Sequence, residues 1–170
     1  MIIASSCVCN GNSVRFKHAQ TFLLTTPINI PMLYQGDDIG MFGEDKTVDG
    51  NNFDGGRRAV MKFDNLSPDE KAALKHVQNL GKFRKEHPAL RYGKREKCSS
   101  TDDAWVFKLK CTESDNKRCN GGDTVIVGIN KGSSPYPVNC GESGTFTSYD
   151  GSSVGNDIKV PAGGSLVIGK

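Results

Sequence analysis

The chain has 170 residues, 36% hydrophobic and 24% charged, and its 22 Lys and Arg against 19 Asp and Glu leave a net charge of +3. That length suits one domain or two small ones, and so small and mixed a charge points to neither a nucleic acid nor a membrane as partner. No apolar run approaches the ~18–20 residues of a membrane span, and the 20 glycines indicate many turns rather than a helical bundle.

In chain order, the apolar start Met1-Ile2-Ile3-Ala4 lacks the basic segment and long apolar core of a secretory signal. Asn12 or Ser13 can cap a first helix, in which Phe16, Ala19, Leu23 and Leu24 recur at helical spacing. Pro27 ends it by removing a donor and restricting Thr26. Ile30-Pro31-Met32-Leu33-Tyr34 is a continuous apolar run between breakers, which predicts a short buried strand with Pro31 near its start. Residues 36–56 are rich in Gly, Asp and Asn without periodicity and read as a long surface loop.

Ser67-Pro68-Asp69-Glu70 opens a second helix, with Ser67 as N-cap, Pro68 at the first position and Glu70 completing a capping box. Ala73, Leu74, Val77, Leu80 and Phe83 form its apolar stripe, and Pro88 stops it near Glu86. The basic group between Lys82 and Lys97 reads as a solvated face. After Gly93 the period becomes two. Trp105, Phe107 and Leu109 alternate with other residues, as do Val125, Val127 and Ile129. Further short strands are expected around 136–139, 144–148, 157–160 and 165–168. Short strands with frequent turns predict an antiparallel β-sandwich, each strand with one face in and one out.

Six cysteines stand at positions 7, 9, 98, 111, 119 and 140, with no CxxC pair and no histidine cluster beside them. A zinc site is therefore not expected. The last four lie in a Gly/Ser/Asn-rich half suited to disulfide-closed loops, although six cysteines allow 15 pairings. That usage points to an oxidising, extracellular compartment. Trp105, the one tryptophan, reads as sandwich core rather than a sugar-stacking platform. His87 reads as ordering the turn before Pro88, and His18 and His76 as helix-surface or packing residues.

Phe22-Leu23-Leu24-Thr25-Thr26-Pro27, followed by Pro31-Met32-Leu33-Tyr34-Gln35-Gly36-Asp37-Asp38-Ile39-Gly40-Met41, resembles the seventh helix and eighth strand of the α-amylase superfamily, glycoside hydrolase family thirteen. The likeness continues through Arg57-Arg58, the capped helix and His87-Pro88-Ala89-Leu90-Arg91-Tyr92-Gly93. Two departures stand out. Ile28-Asn29-Ile30 replaces the usual Gly-Ile after the proline, and Asp54-Gly55-Gly56 precedes the arginine pair in place of the usual acid-rich run.

The resemblance implies an α+β chain: a partial (β/α)8-barrel segment of helix, strand and helix over residues 1–93, then an antiparallel β-sandwich over 94–170. A complete barrel takes ~250 residues, and residues 22–93 supply about one of its eight units. Retaining glycoside hydrolysis needs two carboxyl groups ~5–5.5 Å apart. The family takes its three catalytic acids from earlier strands, and Met1–Asn12 contains no Asp or Glu. The implied protein is thus the C-terminal portion of an enzyme acting on α-1,4-glucans, without independent hydrolysis. Asp37, Asp38, Asp54 and Arg57 are the candidate substrate-binding residues, because barrel sites sit at the C-terminal strand ends. Adjacent acids on a strand point to opposite faces, so Asp37 and Asp38 are poorly placed to flank one bond. No metal or cofactor is expected. The expected partner is an α-glucan in the context of a full barrel, with the missing barrel segment on another chain as a further option. A non-catalytic glucan-binding or protein-interaction sandwich is the alternative.

Overall fold

A computed structural model describes residues 12–41, 61–155 and 157–170. Helix α1 (Ser13–Thr25) starts where Asn12 accepts a hydrogen bond from the Arg15 N–H at 3.0 Å. Helix α2 (Pro68–Glu86) carries the full capping box. Glu70 accepts from the Ser67 N–H at 2.6 Å and from Lys62 Nζ at 2.8 Å, and these partners, Lys62 first, hold its carboxyl down to about 2. A single-turn helix, α3 (Ala89–Tyr92), follows at once. Asp123 secures this corner, with one carboxylate oxygen 2.8 Å from His87 Nδ1 and the other accepting the Ala89 N–H at 2.7 Å.

The remainder is antiparallel sheet. Strands β1 (Lys94–Ser100), β2 (Ala104–Cys111), β3 (Asp123–Asn130), β5 (Phe146–Ser148), β6 (Ser153–Val154) and β8 (Ser165–Gly169) form one sheet in the order β1-β2-β3-β8-β5-β6. Strands β4 (Tyr136–Pro137) and β7 (Lys159–Val160) form a second, two-stranded sheet. The α+β class is as expected. Strand β1 lies in the basic run read as a solvated face, and its Lys94, Arg95 and Lys97 suit an edge strand, where charge discourages pairing with other chains.

The central strands differ from the one-face-in expectation. Phe107 pairs with Val127, which pairs with Val167, so these three share a face. That face packs with Leu24, Val77, Leu80, Phe83, Ala89 and Leu90 of the helices in one cluster. On the opposite face, Val106, Ile126 and Ile168 pack with Phe146, Ile158 and Val160. Helices on one side and the small sheet on the other bury both faces, so apolar residues run on continuously as Val125-Ile126-Val127. Gly128 shows how tightly the sheets meet, since a Cβ there would collide with the Val160 side chain.

Two disulfides lie within the sheet region. Cys98 joins Cys140 across 42 positions and Cys111 joins Cys119 across 8, with Cα–Cα distances of 4.9 and 5.5 Å. Register slips between Lys97 and Ser99, and this bulge re-aims Cys98 toward the small-sheet face. Trp105 is half-buried, as a packing residue of the helix–sheet seam: its ring centroid lies 4.6 Å from that of Phe107 and 5.9 Å from that of Phe22 on α1.

Candidate functional site

The run from Ile30 to Tyr34 forms no strand, which corrects the expectation of a buried one. Ile30 is 94% exposed, and Met32, Leu33 and Tyr34 are exposed as well. A strand needs a neighbour to take its N–H and C=O groups, and none of the described strands pairs with this run. Its composition encodes burial, and the described fold provides no surface to bury it.

Both ends of the run are held firmly. At the start, Ile28 has φ +66°, a left-handed conformation that a β-branched residue adopts only under strain. It falls where the family pattern has glycine. The Ile28 N–H donates to the Arg91 carbonyl at 2.8 Å, which fixes the conformation. Arg84, buried on α2, donates to the carbonyls of Leu24 at 2.8 Å, Thr26 at 3.2 Å and Asn29 at 3.0 Å, and also to that of Leu90. Its guanidinium therefore caps the C-terminal end of α1, where carbonyl dipoles favour a cation. Burial lowers its pKa, with the nearby Arg91 charge as a smaller cause. An open cleft of about 550 Å³ lies here, between Ile28–Pro31 on one side and Arg91, Tyr92 and Asn116 on the other.

At the far end, Asp37 closes a tight turn. Its N–H donates to the Tyr34 carbonyl at 2.9 Å, and its carboxylate accepts the Tyr34 N–H at 3.1 Å. Its carbonyl accepts from the buried Gln20 amide of α1 at 2.6 Å. Gly36 permits the turn: its φ is +82°, and a Cβ there would come within 2.8 Å of Met41 Sδ. Burial raises the Asp37 pKa, the Tyr34 N–H opposes that rise, and Asp38 adds to it. Asp38 beside it is half-buried. The structure therefore brings Asp37 and Asp38 to one end of the run, while Asp54 and Arg57 lie outside the described residues.

Sequence reading missed Arg84, Gln20 and Asp123 as organisers of these ends. A signal existed for Arg84, because Ala73, Val77, Leu80 and Arg84 follow helical spacing and the cation continues the buried stripe. Gln20 and Asp123 act across the fold and leave no such local trace. Among the described residues, no three His, Cys, Asp or Glu side chains converge to hold a metal ion. No helix there is long and apolar enough to cross a membrane.

No protein-family model matches the chain. In sequence it is similar to the cyclomaltodextrin glucanotransferase of Geobacillus stearothermophilus, 27% identical over 163 residues, and to that of Thermoanaerobacterium thermosulfurigenes, 28% identical over 164. Each match covers 92% of this chain and 20% of the relative, so the chain spans about a fifth of the length of these curated relatives. In fold it is similar to CldA, a cyclomaltodextrin glucanotransferase of three-domain ABC organisation, with TM-score 0.68, 22% identity, 95% of this chain and 33% of that one. An Anoxybacillus α-amylase gives TM-score 0.67 at 24% identity over 92% of this chain and 32% of its own. AmyP, whose structure was determined with maltose, gives 0.67 at 16% identity over 92% of this chain and 34% of its own. The chain thus resembles, in sequence, part of two cyclomaltodextrin glucanotransferases and, in fold, part of glucanotransferase and α-amylase structures.

Proposed function

We propose that this chain is the closing portion of an α-amylase-like enzyme acting on α-1,4-glucans with retention, and that its catalytic carboxylates are supplied by barrel sequence outside it. One observation carries this reading: nearly the whole chain matches, yet it matches only a fifth to a third of each relative. The exposed 30–34 run fits the same picture, since an apolar segment with an open backbone is what a barrel strand without its neighbours presents. Residues 1–93 would complete the barrel, upstream on the same polypeptide or from another chain, and 94–170 would form the sandwich beside it.

In that assembly Asp37 and Asp38 would face the sugar at the rim, and Asp54 and Arg57, outside the described residues, are the further substrate-binding candidates. Asp37 also sets the turn that aims Asp38. The two disulfides suit an extracellular setting. The test is reducing-sugar release from soluble starch by the purified chain. No turnover is expected, and turnover abolished by Asp37→Asn would overturn the proposal. Electrophoresis through a starch gel separates the alternative, because a glucan-binding module would be retarded and a barrel portion alone would not.

A further inference from the structure

The helix pair meets the sheet through two histidines that the glucan reading does not use. His76 of α2 is buried. Its Nε2 lies 3.1 Å from Thr21 Oγ1 and 3.2 Å from the Lys17 carbonyl, both on α1. Its Nδ1 lies 3.0 Å from the Tyr149 hydroxyl, in the turn after β5. The network fixes the tautomer. Thr21 already donates its hydroxyl hydrogen to the Lys17 carbonyl at 2.8 Å, so its oxygen accepts from Nε2–H, and Nδ1 accepts from Tyr149. One neutral ring thus ties α1, α2 and the sheet together.

His18 sits in the same joint. It faces the backbone of Gly163 and Gly164, before β8, and its Nε2 is buried with no partner among the described residues. The charged and titratable groups facing the joint are Lys17 and His18 from α1, and Tyr149 with Asp150 behind it from the sheet side. Among the described residues no carboxylate bonds either ring. Asp150 is engaged by the Ser152 N–H at 3.0 Å and the Ser152 hydroxyl at 2.7 Å. A proton added to either histidine would therefore place in a buried seam beside Lys17 a cation with carbonyl and hydroxyl neighbours but no described carboxylate to balance it.

We propose that His76 and His18 form an acid-labile latch, whose protonation releases the α1–α2 pair from the sheet while the sheet stays folded. Both disulfides of the described residues lie on the sheet side and neither crosses the seam, so covalent restraint there favours this order of release. Burial, as the largest cause, depresses both histidines, and His76 falls to about 4 from 6.5. The sign follows. The open form binds the proton at the ordinary value and the closed form only near pH 4, so docking is fully favoured above about pH 6.5 and weakens as pH falls. The His76 shift alone opens the equilibrium by on the order of a hundredfold at pH 4.

Trp105, against Phe22 of α1, is a built-in reporter. Amide exchange and tryptophan emission of the full chain are followed from pH 7.5 to pH 4. The expected result is a fall of about a hundredfold in the protection of α1 and α2 and a red shift of emission between about pH 6 and pH 4, while Val125–Val127 and Val167 keep their protection. A double His18→Gln/His76→Gln variant should lose that step. Unchanged helix protection to pH 4, simultaneous loss in helices and sheet, or an unmoved step in the double variant overturns the latch. The wild-type exchange data decide the matter if the variant does not fold. Starch turnover is not a readout here, so failure of the latch and failure of the glucan reading remain distinguishable.

Discussion

The helical region and the sheet region end their apolar sequence differently. In the sheet region, Val106 and Phe107 point to opposite faces and both find a covering layer, and two disulfides close the loops around them. In the helical region, α1 and α2 bury one stripe against that sheet, yet the segment between them leaves Ile28 and Ile30 almost fully exposed. Every strand of the sheet region has a described neighbour, and the 30–34 run has none. The same apolar composition thus gives closure where pairing partners exist and an open surface where they do not. Strength at the ends of the run, from Arg84 and Asp37, does not substitute for partners along it.

The largest effect should come from cutting the contact between the regions. Leu80 is 1% exposed and lies in the cluster that joins helices to sheet, so Leu80→Ala should cost about 4 kcal/mol. If the regions are one cooperative unit at neutral pH, Trp105 emission and far-ultraviolet dichroism will report one lowered melting transition. Two separated transitions would instead make the helical region an independent appendage.

Next come the two described disulfides, both on the sheet side. Loop-closure entropy predicts that Cys98→Ser/Cys140→Ser costs about 4 kcal/mol and Cys111→Ser/Cys119→Ser about 2.5, because the closed loops span 42 and 8 positions. Denaturant midpoints in the reverse order would show that the 42-position loop is already restrained in the unfolded chain before its bond forms. The smallest effect lies at the start of the unpaired run. Ile28→Gly should raise stability by about 1 kcal/mol, as relief at φ +66° outweighs the entropy glycine adds to the unfolded chain. Loss of stability on that change would mean that the exposed isoleucine makes contacts that compensate its strain.

The elements that were legible in sequence are those decided within a few residues. Asn12, Ser67, Pro68 and Glu70 fix helix starts through local hydrogen bonds, and the Trp105–Leu109 and Val125–Ile129 alternations fix β2 and β3. The resemblance to α-amylase-like enzymes was also legible, since it rests on short motifs around Gly36–Asp38 and His87–Gly93. Less legible was β1, whose charges suit either a solvated face or a sheet edge. Only the edge position beside β2 distinguishes the two. Among the candidate site residues, proximity of Asp37 to Asp38 follows from adjacency, but the use of the Asp37 carboxylate to hold Tyr34 depends on the turn.

By itself the sequence determined where helices start, where the central strands run and which family the motifs resemble, because caps, breakers and periodicity act over one or two turns of chain. Tertiary structure alone decided that Arg84 is buried among carbonyls, that His76 joins three elements, and that Ile30–Tyr34 forms no strand and pairs with none of those described. Burial and pairing belong to the neighbours a residue meets across the fold, and a segment cannot encode a neighbour that the described fold does not bring to it.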